Sequence, residues 1–337
     1  VTGLSPGPAY PSRIGKTEDT MTDLAAGRTI GLSRRQALFA GAALPLAATL
    51  PLPAAAQETM QGSGFAPWNR FKLGAFEVTT LLAGTRAGDK PQETFGTNAS
   101  PEDFAALSAA NFIPADRTQN FFTPTVVNTG AEVVLFDTGL AAEATLAALT
   151  AAGMTPDMVD VVVLTHMHGD HIGGLMGADG TTPTFANARY VTGAAEHNHW
   201  SAAGNEGFDK MVKPLNDRMT FLDNNGNVAS GITGIDAFGH TPGHMAYQVE
   251  SEGQRLMITA DTANHYVWSL QRPDWEVRFD ADKAQAAATR KQVFGMIAAD
   301  RIPFIGYHMP FPGVGYVEAM GDGFRYVPAS YQLMLNG

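Results

Sequence analysis

"VVVLTHMHGDHIGG", residues 161–174, sets three histidines and an aspartate between positions 166 and 171, directly behind an apolar run. The continuous run in "MVDVVVLT" (158–165) reads as a strand buried on both faces. His166, His168, Asp170 and His171 then stand at its C-terminal edge, where α/β folds bind ligands. A polar loop that happens to be histidine-rich is the plain alternative. The density of ligand-type residues points instead to a metal site, with His166 and His168 turned to one ion and Asp170 and His171 to another. Two cations make four such groups tolerable side by side.

A half-complete site calls for further ligands at the ends of other strands. "FGHTPGH" (238–244) places His240 on a Gly/Pro turn after a strand pattern, "ITAD" (258–261) ends on Asp261, and "IGYH" (305–308) ends on His308. Singly, His240 reads as a turn cap, Asp261 as a helix cap and His308 as a core histidine. Together they complete two coordination sets.

Composition narrows the chemistry. The 337 residues contain no cysteine, which excludes disulfides, thiolate zinc sites and cysteine nucleophiles. Any metal is then held by His, Asp, Glu or backbone, which favours hard or borderline divalent ions. The hydrophobic fraction of 45% and mean hydropathy of -0.08 are those of a globular protein. A net charge of -11 without a basic run argues against nucleic acid as a partner.

Residues 1–56 read as an N-terminal extension and export signal. "SRRQALFAGAALPLAATLPLPAAAQ" (33–57) has a charged start with Arg34 and Arg35, a short apolar run and A-A-A before Gln57. That is the layout of a twin-arginine-type signal peptide, with cleavage expected near Ala56 and a periplasmic or secreted product. A start at Met21 gives a signal of ordinary length. The apolar run from Leu38 to Leu52 is interrupted by Pro45 and Pro51, so no stable membrane span is expected after cleavage.

Residues 57–337 are expected to form a single domain. Strand patterns fall at 75–84, 123–130, 131–139, 158–165, 188–193, 218–223, 231–240, 245–251, 255–261 and 302–308, and helices at 141–153 and 280–300. Residues 194–217 read as helical, and 85–122 as polar and irregular. This alternation predicts an α/β fold of two sheets with helices outside, a four-layer αββα sandwich.

The "THMHGDH" run, Asp137 in "FDTG", "GHTPGH", Asp261 and His308 resemble the metallo-β-lactamase fold superfamily. Within it, "HMPFPGVGYVEAMGDGFRYVPASY" (308–331) is most similar to methyl parathion hydrolase and its lactonase and arylesterase relatives. The resemblance implies one ion on His166, His168 and His240 and a second on Asp170, His171 and His308, with Asp261 bridging. It makes Asp137 and His244 supports that fix the ligands by hydrogen bonds. Zinc is the foremost metal, with manganese, iron or cobalt also accommodated, and zinc lowers the pKa of bound water to roughly 7. The nucleophile so implied is a hydroxide shared by the two ions, with Asp170 and Asp261 the catalytic carboxylates. Substrates of that chemistry are lactones, aryl esters and organophosphate triesters. Hydrolytic dehalogenation and a non-catalytic periplasmic metal-binding protein are the alternatives. A homodimer is implied by the resemblance alone.

No basic residue adjoins these motifs in sequence, which predicts a small, neutral, fairly apolar substrate. Trp200, Phe121, Phe122, Trp268 and Phe311 lie near the motifs and are expected to line the pocket, with core packing as the alternative for each. His265 or Tyr266, shortly after Asp261, is placed to polarise a carbonyl or assist a leaving group.

Overall fold

The computed structural model describes residues 64–335, so the export signal expected in 1–56 lies outside the described residues. Among these residues no helix is long and apolar enough to cross a membrane. The chain opens with β1 (Trp68–Leu73), β2 (Phe76–Leu81) and β3 (Gly84–Asp89), then α1 (Pro101–Ala110), β4 (Arg117–Phe122), β5 (Thr125–Asn128) and β6 (Val133–Phe136). After α2 (Ala142–Ala151) come β7 (Val161–Leu164), the single turn α3 (Gly169–Ile172), β8 (Arg189–Gly193), α4 (Ala194–Ala202), α5 (Glu206–Met211) and β9 (Met219–Leu222). The second half runs β10 (Asn227–Ala229), β11 (Ile232–Asp236), β12 (Met245–Ser251), β13 (Gln254–Ala260), α6 (Lys283–Asp300), β14 (Phe304–Gly306), β15 (Val314–Met320) and β16 (Gly323–Pro328).

Two seven-stranded sheets result, ordered β1-β2-β5-β6-β7-β8-β9 and β10-β11-β12-β13-β14-β15-β16. Their facing sides share one core, in which Phe136, Val161, Val163 and Val191 meet Tyr247, Val249, Leu256 and Ile258. On the outer face of the first sheet, Leu135, Val162 and Leu164 pack on Ala148 and Leu149 of α2 and Phe208 of α5. On the outer face of the second, Ala246, Met257 and Phe304 pack on Val293, Phe294 and Ile297 of α6. The αββα order follows, because each sheet has two apolar faces to cover.

Strand β7 explains its own sequence. It runs parallel to both β6 and β8. Val161 and Val163 fill the inter-sheet core while Val162 and Leu164 fill the layer under the helices. Alternation is therefore invisible in the sequence, and each fully buried side chain of this kind contributes about 1.5–3 kcal/mol.

Residues 85–122 are not irregular, which corrects the reading above. They form β3, α1 and β4, with β3 and β4 paired as a separate two-stranded ribbon. The ribbon faces solvent over much of its length, so little apolar periodicity marks it. The start of α1 is written locally: Ser100 Oγ accepts from Asp103 N at 3.0 Å, with Pro101 in the first turn. Strands β1, β10, β15 and β16 also add to the expected set.

Candidate metal centre

Seven side chains converge at one edge of the sandwich. His166 and His168 follow the end of β7, and the turn α3 carries Asp170 and His171. His240 lies between β11 and β12, Asp261 directly follows β13, and His308 closely follows β14. Ala260 is held at φ 42°, an uncommon conformation for a residue with a Cβ, and it turns the chain just before Asp261.

The donor atoms fall into two sets. His168 Nδ1 stands 3.1 Å from His166 Nε2 and 3.0 Å from His240 Nε2. Asp170 Oδ2 stands 3.7 Å from His171 Nε2 and 3.3 Å from His308 Nε2. Asp261 lies between the sets: its Oδ2 is 3.3 Å from His240 Nε2 and 3.2 Å from His308 Nε2, and its Oδ1 is 3.4 Å from His171 Nε2. His171 Nε2 and Asp261 Oδ1 are buried with no hydrogen-bond partner. Buried lone pairs this close repel unless a cation or protons stand between them. The geometry fits divalent ions, and the three groups His166–His168–His240, His166–His171–Asp261 and Asp170–His171–His308 each bring their ligand atoms within 4.8 Å of one another.

The opposite ring nitrogens are tied down. His171 Nδ1 meets Asp137 Oδ2 at 2.8 Å, His240 Nδ1 meets Asp280 Oδ1 at 2.8 Å, and His308 Nδ1 donates to the Phe121 carbonyl at 2.8 Å. Each of these rings thereby turns its Nε2 lone pair to the cluster. Asp137 also accepts from Thr165 N and Thr165 Oγ1, at 2.9 and 2.8 Å. His244 spends both nitrogens elsewhere, Nε2 accepting from Asp261 N at 3.1 Å and Nδ1 donating to Ala237 O at 3.1 Å. It steadies the Asp261 backbone and has no lone pair left for an ion.

Charge follows from this packing. Burial, together with neighbouring His171, drives His166 well below its usual pKa, and burial with His240 lowers His168 to about 4. For His171, burial lowers but Asp261, Asp137 and Asp170 outweigh it, and the ring ends well above its usual value. His308 is likewise pushed up to about 10 by Asp261 and Asp170 against its burial. Asp261 goes well below the usual carboxylate range, since His308 and His171 overcome its desolvation. Anionic carboxylates beside imidazoles that carry displaceable protons are the state from which metal ions are bound.

The metallo-beta-lactamase superfamily profile matches residues 123–303, more than half of the chain. The chain belongs to the metallo-beta-lactamase superfamily. No curated protein sequence matches it. Among solved structures it is similar to AidC, a dizinc quorum-quenching lactonase in complex with a product, at TM-score 0.72 and 25% identity over 79% of this chain and 98% of that one. It is similar in fold to the hydrolase AbOPH (TM-score 0.73, 22% identity, 80% of this chain and 100% of that one). It is also similar in fold to an N-acyl homoserine lactone hydrolase with N-hexanoyl-L-homoserine at the catalytic metal center (TM-score 0.54, 16% identity, 72% of this chain and 99% of that one).

Three buried side chains that the sequence did not mark complete this superfamily site. Asp280, which holds His240, is itself held by buried Arg290 at 3.0 Å, and Arg290 also donates to the Thr262 and Pro273 carbonyls. Glu196 takes four donors: Met167 N, Trp200 Nε1, Thr241 Oγ1 and Gly243 N. It staples the histidine-rich loop to the His240 turn. That turn needs glycine, since a Cβ on Gly243 would lie 2.0 Å from Glu196 N. Asp280 is 40 positions from His240, and Glu196 is 29 and 47 positions from Met167 and Gly243, so no spacing rule announces them.

Above the donor atoms opens a cavity of about 510 Å³, with His168, Asp170, His240, Asp261 and His308 on its lining. Of the expected wall residues only Phe122 lines it. Phe121 and Phe122 are neighbours on β4 and point to opposite faces. Phe121 packs on Phe65 (5.3 Å between centroids), and Phe311 packs on Phe65 from 6.5 Å. Trp200 stands edge-on to His168 but is turned to Glu196. Trp268 is buried, stacked with Phe104 and donating to Ser108 Oγ at 2.9 Å. His265 stacks on Trp268 at 3.9 Å, its Nδ1 accepts from Val267 N and Trp268 N, and burial lowers it to about 3. Tyr266 packs into the adjoining core. Core packing claims Phe121, Trp268, His265 and Tyr266, while Phe311 packs half-buried on the exposed Phe65, and none of them lines the cavity. Phe95, Arg86 and Arg278 are wall residues the sequence reading missed, so basic groups absent beside the motifs are supplied by the fold.

Proposed function

We infer that the chain is a metal-dependent hydrolase that opens lactones and cleaves aryl esters, with two divalent ions, zinc foremost, held by His166, His168 and His240 and by Asp170, His171 and His308. The observation that carries this reading is the position of Asp261, within about 3.4 Å of nitrogens from both sets. Bound there, the ions supply Lewis acidity toward the carbonyl and acidify water near neutral pH. The resemblance to AidC, a dizinc lactonase, supports zinc and the lactone class. Organophosphate triesters belong to the same proposal, since their phosphoryl oxygen presents the same demand, and the sequence likeness to methyl parathion hydrolase supports them. The twin-arginine-like stretch at 33–57 supports export to the periplasm.

The chain's own residues do the rest. Asn264 Nδ2 donates to Asp261 Oδ2 at 2.8 Å and fixes the carboxylate on which both sets depend. Asp137, Asp280 and the Phe121 carbonyl hold three imidazoles so that no reorganisation accompanies reaction. Phe95 and Phe122 give the cavity apolar walls that shed water from the reacting bond. No cysteine exists to act as a covalent nucleophile.

The test is turnover of an acyl-homoserine lactone, a simple aryl ester and methyl parathion by protein stripped with chelator and reloaded with zinc. The lactone or the aryl ester is expected to turn over only in the reloaded protein. Absence of turnover on all three at full zinc content contradicts the reading.

A further inference from the structure

Two arginines face the cavity, and the fold, not the sequence, puts them there. In the β3–β4 ribbon Gly84 pairs with Phe122, Arg86 with Asn120 and Gly88 with Thr118. Cross-strand partners share a face, and Arg86, Gly88, Thr118, Asn120 and Phe122 all line the cavity. With glycine two positions away on either side, nothing on its own strand screens the Arg86 guanidinium from that space. A second wall forms where Gly96 N donates to Glu276 O and Arg278 N to Thr94 O, each at 2.8 Å. It brings Arg278 to the same cavity.

Both guanidinium groups are poised in the same way. Arg86 Cζ stands 5.6 Å from the Phe122 ring centroid, and Arg278 Cζ 4.8 Å from that of Phe279. A guanidinium laid on an aromatic face keeps its edge N–H groups free, and that edge matches a carboxylate. Among the described residues neither group has a hydrogen-bond or ion-pair partner, whereas Arg189, Arg255, Arg290 and Arg325 each have a carboxylate. Asp89 is the one carboxylate on the lining outside the metal-ligand type cluster, which leaves the walls with a positive excess. In a chain of net charge -11 that local sign is against the average.

We propose that the cavity takes esters or lactones bearing a carboxylate at the end remote from the scissile bond, received by Arg86 and Arg278. This rests on the hydrolase reading above and narrows its substrate class: the reacting end is a neutral carbonyl, and the remote end is anionic.

The experiment compares kcat/KM for phenyl hexanoate and for the monophenyl ester of adipic acid, on zinc-loaded full chain at low and high salt. The adipate ester is expected to be favoured by about tenfold at low salt and less at high salt, because the rim is open to solvent. In R86Q/R278Q the ratio of the two falls toward one, while in R325Q, changed at an arginine paired with Glu318 away from the cavity, the ratio holds. Equal rates for the two esters in the wild type, or an unchanged ratio in the double variant, overturn the proposal. If neither aryl ester turns over at full zinc content, the hydrolase reading is judged by the lactone and methyl parathion assays above, and calorimetric binding of adipate decides the clamp. Adipate binding weakened about tenfold in R86Q/R278Q supports it, and equal binding overturns it.

Discussion

Asp261 lies 3.2–3.9 Å from nitrogens of both donor sets, so neutralising it is felt twice. Asp261→Asn is expected to lower the metal content of both positions, read by elemental analysis of dialysed protein, and to lower the rate with it. Full metal and full rate in that variant would remove the bridging assignment. His308 makes a second prediction. Asp261 and Asp170 raise it from 6.5 to about 10, so the metal-free protein keeps a proton on it at neutral pH. The stabilisation from that pairing is complete below about pH 6.5 and lost as pH rises through about 10. Over the same window the proton ceases to compete with metal, and zinc binding tightens. Calorimetry of zinc binding at pH 7 in buffers of differing ionisation enthalpy is expected to report net proton release. Heats independent of the buffer would contradict it.

The turn "GHTPGH" and the helix α6 show how differently two glycines are used. A Cβ on Gly243 meets Glu196 N at 2.0 Å, whereas one on Gly295, inside α6, meets nothing within 4 Å. Gly243→Ala is expected to lower Tm by about 5 °C or more through forced backbone movement and to weaken metal binding at His240. Gly295→Ala is expected to raise stability by about 0.5–1 kcal/mol, measured by urea titration. A neutral result at Gly243 would mean that the turn is not wedged against α4. The same contrast explains what could be read from the sequence. The run from His166 to His171 was legible because its donors are local, and His240, Asp261 and His308 because each ends a strand pattern. Glu196, Asp280 and Arg290 were not, because each acts through a contact between segments that no local pattern joins. Phe122 lines the cavity and Phe121 does not, since the ribbon's alternation separates them, and the ribbon itself carries too few apolar residues to declare its period.

The two sheets bring these pieces together by a single device: β7, β13 and β14 each stop at the same edge, and the inter-sheet core of valines, Tyr247 and Ile258 keeps that edge in register. The donor cluster is thus built on strand ends, while the cavity walls are built from the ribbon and from the pairing of 94–97 with 276–278. On the proposed reading, metal binding and substrate choice fall to different parts of the chain, the strand ends and the appended ribbon. The most direct measurement is metal stoichiometry coupled to activity on one preparation of the full chain. Two divalent ions per chain, turnover abolished on chelation and regained as the second equivalent of zinc returns, is the predicted result. Undiminished turnover by protein shown to be free of metal would contradict it.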